Sequence, residues 1–233
     1  MKEVNISTLT IGEIVALDYR TASVFKEEGI DFCCGGKKTI AEICDEKGID
    51  QVELLDKLEN IENIPGTLVH KFNEWDPGFL SDYIKNVHHS FVRKSLPDLM
   101  LYTKKIATVH SQNHPELYEV ADLFSQINNE LLQHLNKEEE VLFPAIKELL
   151  NSGSENARAV IRAEIVRLSG EHEFAGGAMD RINTITDGYR LPEDACNTYR
   201  VAFDLLEKFE DDLHTHVHLE NNVLFPKVLN TAN

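Results

Sequence analysis

Apolar residues recur at helical spacing along most of this chain, but the length of the runs changes. Up to about residue 62 they are short and stopped by glycine. Ile11, Ile14, Val15 and Leu17 form one stretch, Val24 and Phe25 ahead of Gly29 a second, Ile40, Ile43 and Cys44 ahead of Gly48 a third, and Val52, Leu54, Leu55 and Leu58 a fourth. Recurrence at three and four positions predicts helices that bury one stripe each, here a small helical module over residues 1–62. Between the second and third stretches, Asp31-Phe-Cys-Cys-Gly-Gly36 predicts a tight turn, because glycine reaches backbone conformations that other residues resist. The pattern lapses from Asn60 to Pro65-Gly66, which predicts a linker over residues 63–77.

Beyond residue 78 four long helical segments are predicted. The first runs from Phe79 to Ser111, with a bend at Pro97; the second from Pro115 to Leu150, stopped by Asn151-Ser-Gly153. The third runs from Glu155 to Asp187 ahead of Gly188, and the fourth from Pro192 to Leu229, each proline suiting a first turn. No segment alternates as a strand does. The predicted fold is therefore all-α, a short N-terminal helical module followed by an up-down-up-down four-helix bundle over residues 78–233.

Composition narrows the functional classes. With a formal charge of −17 over 233 residues, the chain lacks the Lys and Arg clusters that phosphate backbones require, so no nucleic-acid partner is expected. The N-terminus has no signal-peptide pattern and no apolar run approaches a membrane span, which predicts a cytoplasmic protein without a membrane partner. Of the cysteines Cys33, Cys34, Cys44 and Cys196, two are adjacent, which is poor geometry for a mutual disulfide. Reduced thiols are expected.

The chemistry lies in a repeat. His134-Leu-Asn-Lys-Glu138 and His216-Val-His-Leu-Glu220 each place histidine four residues before glutamate, each is soon followed by Val-Leu-Phe-Pro, and both residues recur after 82 positions. Positions four apart share a helix face, so an imidazole and a carboxylate can reach one ion. A single such pair is more often a surface pair; duplication on two apolar stripes, where an isolated charge is costly, calls for a metal. The other two helices contribute His88 or His89 and His172. Adjacent positions point about 100° apart, so only one of His88 and His89 is expected to face the core. Four imidazoles and two carboxylates fit two ions bridged by Glu138 and Glu220, with iron, manganese or zinc all compatible and the bundle favouring non-haem iron. Glu130 and Asp212, one turn before His134 and His216, are candidate acceptors for imidazole N–H groups. His70 and His114 are expected at the surface, His214 and His218 away from the site, and His110 is ambiguous.

The DFCCGG turn, with HLNKEEEVLFP, EHEFAGG and HVHLENNVLFP in the bundle, resembles the iron-sulfur cluster repair family of ScdA/YtfE type over nearly the whole chain. The bundle motifs alone would imply only a hemerythrin-like domain; the paired cysteines narrow it. The resemblance implies a cytoplasmic, commonly dimeric protein with two non-haem iron ions joined by carboxylate or oxo bridges. Its implied partners are iron-sulfur proteins damaged by nitric oxide or peroxide, and its implied ligands are His89, His134, Glu138, His172, His216 and Glu220. A helix-one histidine seven residues before a Leu-Pro pair, here Leu96-Pro97, selects His89 over His88. Iron donation is the leading expectation, with Cys33 and Cys34 as exposed thiolates receiving iron, nitric oxide or an electron. Nitric oxide reduction at the di-iron centre and hemerythrin-like gas binding or sensing are the competing readings.

Overall fold

The computed structural model describes residues 6–63 and 71–230, which form helices and turns. Among them there is no strand, only one isolated bridge between Thr10 and Thr39. The chain divides into two compact units. Of the described residues, one takes in those up to Leu80 together with those from Val217 to Asn230; the other is Ser81–His216.

In the first unit, four short helices follow the predicted stretches: α1 (Ile11–Leu17), α2 (Thr21–Glu27), α3 (Ile40–Lys47) and α4 (Gln51–Glu59). α1 and α3 begin identically, with a threonine whose hydroxyl accepts from the third helical N–H while the glutamate there binds back to the threonine N–H (Thr10 with Glu13, Thr39 with Glu42). Two otherwise unbonded donors are satisfied at each start. Ile11, Ile14, Val15, Phe25, Ile40 and Leu54 form the buried core. Val52 does not join it and is 77% exposed, because two residues before Leu54 is about 200° around a helix. A short 3₁₀ turn at Asn60–Asn63 runs into the predicted linker and another, Phe72–Glu74, lies within it; the linker's residues 64–70, His70 included, lie outside the described ones.

The same unit holds the last turns of the final helix. The amide N–H groups of Ile11 and Gly12 bond to the carbonyls of Lys38 and Gly36, both at 2.8 Å, drawing the start of α1 to the chain just after the cysteine turn. A Cβ on Gly12 would stand 2.3 Å from Asn222 Oδ1, so only glycine lets α1 approach that side chain. His218 is fully buried against Phe32 and Tyr19, with ring centroids 5.8 and 5.9 Å away. Burial pushes its pKa down to about 4. As expected, it does not serve the repeat.

Four long helices follow. α5 is Pro77–Ile84, a π-helical turn at Lys85–His89, then Ser90–His110; α6 is Glu116–Lys137, a π turn at Glu138–Leu142, then Phe143–Ser152. α7 is Glu155–Ile185, and α8 is Asn197–His218, a π turn at Leu219–Leu224, then Phe225–Asn230. The first helix leaves α geometry at Lys85–His89 and passes through Pro97 as an α-helix, not where the proline predicted a bend. Both Val-Leu-Phe-Pro repeats fall at a π-to-α junction. Proline has no N–H and its ring crowds the carbonyl four residues back. Just ahead of it, Phe143 and Phe225 donate to the carbonyls of Glu138 and Glu220, five residues back.

α8 starts at Asn197 rather than Pro192. Asp187, Gly188 and Tyr189 all adopt positive φ (53°, 66° and 58°) as the chain leaves α7, and Pro192 then sits in a turn closed by the Ala195 N–H. α6 packs along α5 and α7 through Leu117, Val120, Phe124, Ile127, Leu131 and Leu135, all buried. Their spacing is the 3.6-residue stripe read from the sequence. Phe209 on α8 meets Phe124 edge-on at 5.4 Å, closing the core.

Candidate metal centre

α5, α6, α7 and α8 bring five of the six predicted residues together. His89, His134, Glu138, His172 and His216 are each no more than 2% exposed. Glu138 Oε2 lies 3.3 Å from His89 Nε2, 3.3 Å from His134 Nε2 and 4.0 Å from His216 Nε2. The Nε2 atoms of His134 and His172 face each other at 3.1 Å. Candidate donor atoms of His89, Glu138 and His216 lie within 4.8 Å of one another, and so do those of His134, Glu138 and His172. Two sets, each with two imidazoles, thus share one carboxylate. The sixth residue, Glu220, follows His216 by one turn of the same helix, is completely buried, and stands on its π turn as Glu138 stands on the other.

The outer nitrogens explain why the inner ones converge. His89 Nδ1 is 3.0 Å from Glu139 Oε1, and His134 Nδ1 is 2.9 Å from Glu171 Oε2. A carboxylate can only accept, so each Nδ1 carries the proton and Nε2 is left with a lone pair aimed inward. This is how metal-binding histidines are commonly oriented. Glu171 is held at a pKa of about 2, chiefly by the bond from His134, with Lys137 adding to it against the effect of burial. Burial pulls the Glu139 carboxyl upward, but bonds from His89, Arg93 and Lys85 outweigh it and leave it lowered.

The candidate acceptors, Glu130 and Asp212, do not fill that role. Glu130 is exposed, and Asp212 binds His88 Nδ1 at 2.9 Å. The partners in place are acids beside the motif residues: Glu139 follows Glu138, and Glu171 precedes His172. A carboxylate next in sequence to a ligand points to another helix, so the one-turn rule on a single helix missed both.

His88 is buried alongside His89, against the expectation that only one would be. The π turn carries both, and His88 fits between Asp212 and the ring of His216, stacked at a centroid distance of 5.8 Å. It belongs to neither donor set. His110 stands apart from the centre, 3.2 Å from Cys196 Sγ. His114 pairs with Asp194 at 2.8 Å, and His214 turns toward Asp180 at 3.9 Å.

The donor chemistry suits a cation. A fully buried carboxylate beside imidazoles costs several kcal/mol unless positive charge compensates it, and imidazole with carboxylate and no thiolate selects borderline divalent ions such as iron, manganese or zinc. The π turns carry Glu138, Glu220 and His89. Such bulges recur at functional sites because they turn side chains away from the α-helical register.

Cys33 and Cys34 occupy the predicted turn. Asp31 Oδ1 accepts from the N–H of Cys33 at 2.8 Å and of Cys34 at 3.0 Å, while Oδ2 accepts from Gly35 N–H at 2.7 Å. The thiols are free, with sulfurs 3.9 Å apart. The expectation of exposed thiolates fails at Cys33. It is buried, and the neighbouring Cys34 thiol, burial and Asp31 raise its pKa well above the ordinary range. With Asp31 the two sulfurs form a compact group of three donors.

Comparison with known proteins gives two family matches. Residues 8–62 match the ScdA_N family, described as a domain of unknown function (DUF542), and residues 80–228 match the hemerythrin HHE cation binding domain. The iron-sulfur cluster repair protein ScdA of Staphylococcus epidermidis is 35% identical over 218 residues, covering 92% of this chain and 95% of its own. The iron-sulfur cluster repair protein YtfE of Pectobacterium atrosepticum is 34% identical over 223 residues, covering 94% and 96%.

Proposed function

We propose, because the chain belongs to the family of iron-sulfur cluster repair proteins named ScdA and YtfE, that it holds two non-haem iron ions and donates iron to iron-sulfur clusters damaged by nitrosative or oxidative stress. The observation that carries this reading is the pair of buried donor sets sharing Glu138. His89 and His216 would hold one ion and His134 and His172 the other. Glu138 would serve both ions, and Glu220, its equivalent in the repeat, would be the second shared carboxylate. Bound iron would supply redox change and an exchangeable ion. The chain's own residues contribute neutral imidazoles oriented from behind by Glu139 and Glu171, and carboxylates, which hold iron less firmly than cluster thiolates do.

Cys33 and Cys34 are read as a second, thiol-based station for iron or nitric oxide, beside Asp31. The four free cysteines suit a reducing compartment, in keeping with a cytoplasmic protein; homodimer assembly is carried from the family resemblance. No helix among the described residues is long and apolar enough to cross a membrane.

The test is iron transfer. Protein reconstituted anaerobically with ferrous iron is mixed with an iron-sulfur protein whose cluster has been damaged by nitric oxide, and Mössbauer spectra and iron content of both are followed. Loss of iron from this protein matched by gain in the recipient is expected. Catalytic consumption of nitric oxide with a reductant, without iron loss, would replace donation by nitric oxide reduction.

A further inference from the structure

Away from the metal centre, the end of α5 meets the start of α8 at a cysteine–histidine pair. His110 Nε2 lies 3.2 Å from Cys196 Sγ. Cys196 is exposed and immediately precedes α8, and its carbonyl accepts the first bond along the helix, from the Arg200 N–H. The sulfur therefore stands where the helix presents unbonded N–H groups and the positive end of its dipole. Tyr199 packs against His110 at a centroid distance of 5.2 Å and fixes the imidazole. Tyr199 also lines a cavity of about 270 Å³ together with His114, Arg190 and Pro192. Through Tyr199 the cavity adjoins His110, and Arg190 in its wall pairs with Asp187 at 3.1 Å.

We propose that Cys196, with His110 as its base, is a nucleophilic thiol site that takes up sulfur from low-molecular-weight disulfides. His110 Nε2 accepts the thiol proton, and the Cys196 sulfur forms a bond to one sulfur of the disulfide as that S–S bond breaks. The departing thiolate takes the proton back from the imidazolium. One disulfide is consumed and one mixed disulfide and one thiol are formed, so no further oxidant is needed.

Two of the remaining cysteines sharpen the assignment. Cys33 and Cys44 are buried with raised pKa values. The Cys196 thiol is drawn down to about 7, first by His110 and then by the N–H groups of Tyr199 and Thr198. Nearby, His114 faces Asp194 at 2.8 Å and Glu116 at 3.4 Å. A low pKa with solvent access is what makes a cysteine reactive.

The metal-loaded full chain is incubated with oxidised glutathione and its peptides are mapped by mass, and the rate of Cys196 alkylation by iodoacetamide is followed against pH. The expected adduct is on Cys196 and absent from Cys196→Ser. In His110→Gln and His110→Ala the alkylation midpoint should move up by about one unit or more, toward the value of an ordinary thiol near 8.5. Using two variants guards against loss of fold in either, and a packing role for His110 would leave the midpoint where it is. No adduct, an adduct on another cysteine with Cys196 untouched, or superimposable pH profiles would overturn the proposal.

Discussion

The side-chain amide of Asn222 donates to the carbonyl oxygen of Cys33 at 3.0 Å. Asn222 stands two residues after Glu220 in the second copy of the repeat, on its π turn, and its amide also reaches the Phe32 carbonyl at 3.2 Å. The backbone of the cysteine turn is thus held by the helix segment that carries Glu220.

Removing that amide should loosen the turn. Asn222→Ala leaves two part-buried carbonyls without this donor, with an expected cost of about 1–3 kcal/mol. Urea unfolding should register the loss, and Cys33 should alkylate faster than in the parent. An unchanged midpoint together with unchanged Cys33 protection would show that the contact does not hold the turn.

The two adjacent histidines of α5 should separate in metal content. His89 points Nε2 at Glu138 while His88 is engaged with Asp212. Total iron per chain, measured after anaerobic reconstitution, is expected to fall sharply in His89→Ala and to stay near the parent level in His88→Ala. The reverse order would move the ligand assignment by one residue.

Glu171 acts through His134. Glu171→Gln keeps a hydrogen-bonding partner but loses the charge that orients and strengthens the imidazole. Second-partner changes of this kind cost about 10- to 100-fold in metal affinity. Competition with a chelator should show that weakening with the fold intact by circular dichroism, whereas Glu130→Gln, on the exposed residue, should leave affinity unaltered.

Metal removal should lower stability. A ligand that binds only the native state stabilises it by about 2.7 kcal/mol at a free concentration 100 times its Kd. Thermal unfolding of the iron-free chain should therefore occur at a lower temperature, and adding ferrous iron should restore it. In Glu138→Leu, which removes the shared carboxylate, iron should no longer raise the transition.

Packing of α6 offers a control remote from the metal. Phe124 is fully buried and meets Phe209 edge-on, and Phe124→Ala is expected to cost about 3–5 kcal/mol. Denaturant titration of the iron-free protein measures this without any contribution from ligand binding.

The amino-acid sequence alone determined the helices and most of the candidate site. Short apolar runs, two of them stopped by Gly29 and Gly48, marked α1 to α4, and the stripe from Leu117 to Leu135 marked α6, because helical periodicity and stop residues act over a few positions. The two His-x-x-x-Glu pairs were legible for the same reason, since four residues on one helix are neighbours before any tertiary contact forms. Tertiary structure decided what crosses between helices. Glu139 and Glu171, rather than Asp212 and Glu130, support the histidines; His88 is buried as well as His89; and Cys33 is a buried thiol, not an exposed thiolate. It also decided that α8 begins at Asn197, leaving Cys196 beside His110 from a helix 86 residues away in sequence. No local pattern carries that information. Hydrogen bonding and burial at these positions depend on which helix lies opposite, and packing of the whole bundle sets that.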